Sequence, residues 1–275
     1  MKIFETHAHY DDERFDEDRE DLIKSMLGPC GAIDYIVNVG ASKRGCEASL
    51  AFASTYDNMY ASIGFHPGEL SSLNKSDIDW LKDSITAYKY DGVNPDRKVV
   101  ALGEIGLDYY YVSDDEDVAL QEKKTQREWF VNQMDVAYET DMPVIIHSRD
   151  ACKDTVDILK SNHGKDVGGI IHCYSYTKEA ARDFLDMGFM IGIGGVLTFK
   201  NARKLVEAAE FIPLDRIVLE TDSPYMSPEP NRGKRNDSNN IIYVAEKLGQ
   251  IKGLSANEII DITNTNARKL FFKES

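Results

Sequence analysis

No apolar run in this 275-residue chain approaches the roughly 20 residues that a bilayer-spanning helix requires, which excludes an ordinary helical membrane protein. Cysteine is scarce: Cys30, Cys46, Cys152 and Cys173 are widely spread and no two form a CxxC pair, so a reducing compartment fits and a disulfide scaffold does not. Basic residues are outnumbered, 32 Lys and Arg against 47 Asp and Glu, giving a net charge of −15. That balance argues against gripping duplex DNA through a broad basic face, because phosphate neutralisation supplies most of such affinity. It leaves open a nucleic-acid enzyme that meets phosphate locally, at metal ions. A GxGxxG after the first strand is missing, as are internal repeats, low-complexity tracts and linkers. Met1 runs straight into a polar-ended strand without a basic leader or a small-residue cleavage site, so a cytoplasmic protein is expected, with no membrane partner. No obligate protein partner is evident.

What the chain does have is one unbroken alternation of strand and helix patterns. Apolar runs bounded by turn residues predict strands at Lys2–Thr6, Ile33–Val39, Met59–Gly64, Val99–Gly103, Val144–His147, Gly169–His172, Phe189–Ile193 and Arg216–Thr221. Helical spacing predicts helices between them, over Glu17–Leu27, from the cap Ser42 to Ser54, and over Asp77–Tyr88, Gln121–Thr140, Ala151–Ser161, Lys178–Asp186 and Asn201–Ala209. The tail from Ser238 to Phe272 reads as helical with a break at Gly253–Ser255, and the acidic stretch Ser113–Val118 as a surface loop. Each parallel neighbour needs a crossover, so eight such units favour a single-domain α/β fold, a TIM-type (β/α)8 barrel, for which about 250 residues is usual.

The chemistry collects at the carboxyl ends of those strands. His7 and His9 follow the first, with alternation sending both imidazoles to one face. His66 follows the third strand, Glu104 the fourth, His147 the fifth, His172 the sixth and Asp222 the eighth; only His163 falls in a polar connection, as a surface residue would. Singly, each has a bland reading, as a capping or hydrogen-bonded core side chain. In a barrel, however, all strand ends open onto one face. Together, imidazoles and carboxylates are the donor set of one or two divalent cations such as Mg, Mn, Zn or Ni, among which sequence does not choose.

Six ordered blocks carry a family resemblance: His7-Ala8-His9, Gly64-Phe65-His66-Pro67, Gly103-Glu104-Ile105-Gly106-Leu107-Asp108-Tyr109, His147-Ser148-Arg149, His172-Cys173-Tyr174-Ser175 and Glu220-Thr221-Asp222-Ser223-Pro224-Tyr225. They resemble the signature blocks of TatD-type metal-dependent deoxyribonucleases, within the amidohydrolase superfamily. The resemblance spans essentially the whole chain. It implies a one- or two-metal hydrolase in which His7, His9 and Asp222 hold one ion, His147 and His172 the other, and Glu104 bridges them. Two departures stand out: Tyr174 and Tyr176 where relatives commonly show Phe and Gly, and an acidic insert after Tyr111.

Catalytic roles follow as expectations. Asp222 is the candidate to take a proton from water; Glu220, two residues earlier, is an orienter or a further base, or simply a buried acid. His66 could donate a hydrogen bond to substrate, protonate a leaving group, or serve structurally beside Pro67. Arg149, Lys200 and Arg232 are candidate phosphate clamps, Asp108 a loop-ordering acid, and Tyr109–Tyr111 a possible base-stacking run. The leading expectation is cleavage of DNA phosphodiester bonds at single-stranded or frayed ends, exonucleolytically; alternatives are a hydrolase of a small amide, lactone or phosphoester, or a metal-binding scaffold without catalysis.

Overall fold

The computed structural model describes residues 2–274; Met1, where the N-terminal reading begins, lies outside them. Eight parallel strands pair in chain order: β1 Ile3–Ala8, β2 Ile33–Gly40, β3 Met59–Ile63, β4 Val99–Asp108, β5 Val144–Arg149, β6 Gly169–Ile171, β7 Met190–Ile193 and β8 Ile217–Leu219. The crossovers carry α1 Arg19–Leu27, α2 Lys43–Thr55, α3 Lys75–Tyr88, α4 Glu116–Thr140, α5 Cys152–Ser161, the short α6 Gly164–Val167, α7 Lys178–Asp186 and α8 Arg203–Phe211. After β8 come α9 Ile241–Lys252 and α10 Ala256–Phe272. This is the expected (β/α)8 barrel.

The ring closes just beyond β8. Ala8 bridges Ser223, His9 N donates to Ser223 O at 2.7 Å, and Asp222 N donates to His7 O at 3.0 Å. The seam that shuts the barrel therefore sets Asp222 beside His7 and His9. Glu5 bolts the same seam from below, accepting from His7 N (3.1 Å) and from the backbone N and hydroxyl of Thr221 (3.0 and 2.6 Å). Burial pushes its carboxyl up to about 8, those donors offsetting part of the cost.

Apolar side chains of alternate strand positions, Phe4, Val37, Val100, Ile145, Ile170 and Val218 among them, fill the barrel interior. The amino-terminal end is stoppered by the end of α10, where Phe271 and Phe272 meet Phe4 at 5.8 and 5.6 Å between ring centroids. Burying one such ring stabilises by about 1.5–3 kcal/mol. The break between α9 and α10 falls where expected: Gly253 ends α9 at φ 70°, and Ser255 with Glu258 forms a reciprocal capping box.

Two local expectations need correction. The fourth strand does not stop at Glu104 but runs to Asp108, because β5 continues beside it and pairs Gly106 with His147 and Asp108 with Arg149. Gly106 permits that approach, since a Cβ there would lie 2.0 Å from His147 O. The acidic stretch Ser113–Val118 is only partly loop. Asp115 caps α4 by accepting from Asp117 N and Val118 N, and Glu116 and Asp117 occupy its first turn, where carboxylates meet the positive end of the helix dipole.

Candidate metal centre

The strand ends converge on Glu104. Its Oε2 lies 3.6 Å from both His7 Nε2 and His9 Nε2, while its Oε1 lies 2.7 Å from His147 Nδ1 and 3.2 Å from His172 Nε2. One carboxylate thus turns one oxygen to each histidine pair. Asp222 Oδ1 completes the first group, 3.4 Å from His9 Nε2 and 3.8 Å from His7 Nε2. His7 and Glu104 are almost fully buried, His9 and Asp222 less so.

Whether these side chains suit cations can be judged from their hydrogen bonds. His9 Nδ1 faces Val39 O at 2.8 Å, which fixes the proton on Nδ1 and turns the Nε2 lone pair inward, as a metal-ligating imidazole requires. His7 Nε2 and His9 Nε2 face each other at 3.0 Å, so with the His9 proton on Nδ1 the two nitrogens share either one proton or a cation. Triplets drawn from His7, His9 and Glu104, and from Glu104, His147 and His172, offer donor atoms all within 4.8 Å of one another. The donors fit divalent ions.

The charge pattern agrees. Burial works against the ionised form of Glu104, yet His172, His66 and His147 hold it well below the usual carboxylate range. Burial likewise pulls the His9 imidazole down, but Asp222 and Glu104 carry it up to about 9; His172 is raised well above its ordinary value by Glu220 and Glu104. His7 goes the other way, lowered by burial and by His172, against whose ring it stacks at 3.8 Å. Anionic carboxylates among imidazoles that take up protons mark a place built for positive charge.

His66 stands across the cavity, its Nε2 3.9 Å from Glu104 Oε1. Its Nδ1 accepts from Gly68 N at 3.0 Å, so the ring proton sits on Nε2 and points inward, and burial pulls its value down to about 4. Asp108 orders the following loop as expected, its Oδ1 accepting from Tyr110 N and Tyr111 N, and its Oδ2 also reaches His147 Nε2 at 3.2 Å. The second contact was missed in the sequence; the four-residue spacing of Glu104 and Asp108 along one strand was the available signal.

The remaining candidates separate. Arg149 lines the same cavity, of about 430 Å³, with His66, Tyr111 and Asp222. Glu220 does not reach it. It lies behind His172, Oε1 3.3 Å from His172 Nδ1 and accepting from Cys173 N, in space that Gly192 leaves free: a Cβ there would come 2.4 Å from Glu220 Oε2. The structure thus places Glu220 behind the His172 ring and outside the cavity lining. Lys200 is exposed and lines no part of the cavity. Arg232 is not among the lining residues of the cavity; its guanidinium lies 4.2 Å from the Phe199 ring centroid and 4.0 Å from Glu229. His163 stacks on Tyr138 near the surface.

A (β/α)8 barrel whose carboxyl-end face gathers four histidines, a shared glutamate and an aspartate has the donor set and the placement of a metal-dependent enzyme's active site. The family model described as "TatD related DNase" matches residues 4–272, and the chain belongs to that family. It is 38% identical over 269 residues to a Bacillus subtilis protein named metal-dependent hydrolase YabD, covering 98% of each chain. To the Escherichia coli metal-dependent hydrolase YcfH it is 35% identical over 273 residues, with 98% and 96% covered. Among solved structures, the Escherichia coli TatD homologue YjjV superposes with a TM-score of 0.86 at 28% identity, covering 98% of both chains.

Proposed function

We propose that this metal-dependent hydrolase cleaves DNA phosphodiester bonds, acting at single-stranded or frayed ends. The observation that carries the reading is the division of Glu104, one oxygen toward His7 and His9 and the other toward His147 and His172, with the Arg149 guanidinium on the wall of the same cavity. Two cation positions beside a fixed fork of donors suit an anionic phosphodiester better than a neutral amide or lactone. The family's description supports the same reading.

When bound, divalent ions supply electrophilic stabilisation of the phosphoryl oxygens and acidify water. The protein's own groups do the rest. His7, His9 and Asp222 would hold one ion, His147 and His172 the other, and Glu104 both. Asp222, kept ionised by His9, His172 and His7 against the pull of burial, stands at the cavity wall to accept the proton of the attacking water. His66 is a neutral imidazole with its proton on Nε2, so it donates a hydrogen bond to a phosphoryl oxygen; protonating a leaving group would require the imidazolium that its surroundings disfavour. Arg149 grips a non-bridging oxygen. Glu220 holds the His172 ring from behind.

The test is a panel of a labelled single-stranded oligonucleotide, a lactone, an amide and a small phosphoester, each with manganese, magnesium or zinc and with chelator. Chelator-sensitive shortening of the oligonucleotide, lost in Asp222→Asn, is the expected outcome. Turnover of the lactone or amide alone would replace the reading with the small-molecule one, and indifference of every assay to chelator would end both.

A further inference from the structure

A second cavity, of about 570 Å³, lies next to the metal cavity, and Arg149 lines both. Its other walls include Tyr110, Tyr176 and Lys204, with Asp150 at the same opening. The Arg149 guanidinium is braced on aromatic rings, 3.8 Å from the Tyr110 centroid and 4.9 Å from that of Tyr111. Among the described residues no carboxylate comes within 4.0 Å of it, whereas Arg14, Arg127, Arg235 and Arg268 all have acidic partners. In a chain of net charge −15, a guanidinium set against rings, with no carboxylate within 4.0 Å among the described residues, leaves its fork of donors to an anionic ligand. Lys204, exposed on α8, is likewise without a carboxylate within 4.0 Å among the described residues.

The aromatic walls are of two kinds. Tyr176 is fixed, its hydroxyl 3.0 Å from Ser148 Oγ and accepting from Ala151 N at 3.2 Å. Tyr110 is 56% exposed, with the Arg149 guanidinium against one face of its ring. The volume lies within the range of about 300–1,000 Å³ usual for small-molecule pockets.

We infer that this second cavity is a subsite for the nucleotide next to the reacting phosphate, with Lys204 meeting the flanking phosphate, Tyr110 stacking on the base and Arg149 standing between the two phosphates. The inference rests on the phosphodiesterase reading and deepens it: the substrate is a strand, recognised over more than one unit, and not a lone phosphodiester. Aromatic stacking beside a cation is how single strands are held without regard to sequence.

The experiment compares oligothymidylates from dinucleotide to octanucleotide with bis(p-nitrophenyl) phosphate, in the manganese-loaded wild type, Lys204→Ala and Tyr110→Ala. In the wild type KM falls as the strand lengthens. Tyr110→Ala raises KM for the longer strands about fivefold or more, the size of a lost base stack. Lys204→Ala raises it too and lowers the slope of log KM against log salt by about 0.7, one phosphate contact on a single strand. Lys204→Ala leaves kcat/KM for the small ester unchanged, because that side chain lines no part of the metal cavity. Turnover of strands and small ester with no gain from length, or a Lys204→Ala loss equal on both, overturns the subsite and leaves the phosphodiesterase reading standing. Absence of turnover on both substrates overturns that reading and the subsite with it.

Discussion

Replacing Glu104 by Gln keeps the side chain's size and plane and removes one charge from among four imidazoles. In metal-free protein the consequences follow from the distances: Oε1 at 2.7 and 3.2 Å from His147 and His172, Oε2 at 3.6 Å from His7 and His9. Glu104 has a depressed folded-state value, so its contribution is present above the ordinary carboxyl value of 4.5 and lost as pH falls through the folded value. His9 is the opposite case: raised to about 9, it contributes fully below its ordinary 6.5 and loses that contribution as pH rises through 9. Both hold between those limits. There, breaking a buried charge pair costs about 3–5 kcal/mol. Above the His9 value that imidazole is neutral, its pairing with Glu104 is lost in the wild type as well, and the difference between the two proteins shrinks. Urea unfolding of chelator-treated wild type and Glu104→Gln at about pH 7 and about pH 10 measures this directly. A deficit of equal size at both values, or none near neutrality, would refute the reasoning.

The protons that His9 and His172 carry must leave before a cation binds, so apparent divalent affinity, followed by isothermal titration in buffers of different ionisation enthalpy, should rise with pH up to about 9 with proton release. A pH-independent affinity would contradict the ligand assignment. Gly192→Ala drives a methyl into Glu220, and overpacking of this kind costs about 1–3 kcal/mol; the expected result is a lower kcat with metal still bound, and unaltered kcat would show that Glu220 does not set the His172 ring. Ser255→Ala removes the cap of α10, with an expected loss of about 1 kcal/mol in thermal unfolding and no change in metal affinity.

The convergence of the candidate ligands was legible in the sequence because strand ends are readable from periodicity and a barrel brings every strand end to one face. His7, His9, His66, His147, His172 and Asp222 sit at or near the ends of their strands and Glu104 lies within β4, and the structure gathers them. What was hidden depends on pairing and loop packing. Asp108 reaches His147 only because β4 outruns its apolar stretch to follow β5, which the composition of β4 alone does not announce. Glu220 has the spacing of a cavity residue, yet β8 ends at Leu219 and the chain beyond it turns toward the β1 seam, leaving that carboxylate behind His172. Lys200 and Arg232 look like Arg149 in a string of letters; only Arg149 lies at the end of a strand, while the others ride on connections, Lys200 exposed and Arg232 set against the Phe199 ring. The acidic run before α4 misled for a related reason, since the same carboxylates that suit a loop also suit the first turn of a helix.

The most direct trial is a crystal grown with manganese, with anomalous scattering collected over the carboxyl-end face of the barrel. Two peaks that share Glu104, one beside His7, His9 and Asp222 and the other beside His147 and His172, are expected. Peaks that avoid Glu104, or density confined to acidic surface loops, would contradict the dinuclear assignment and the chemistry built on it.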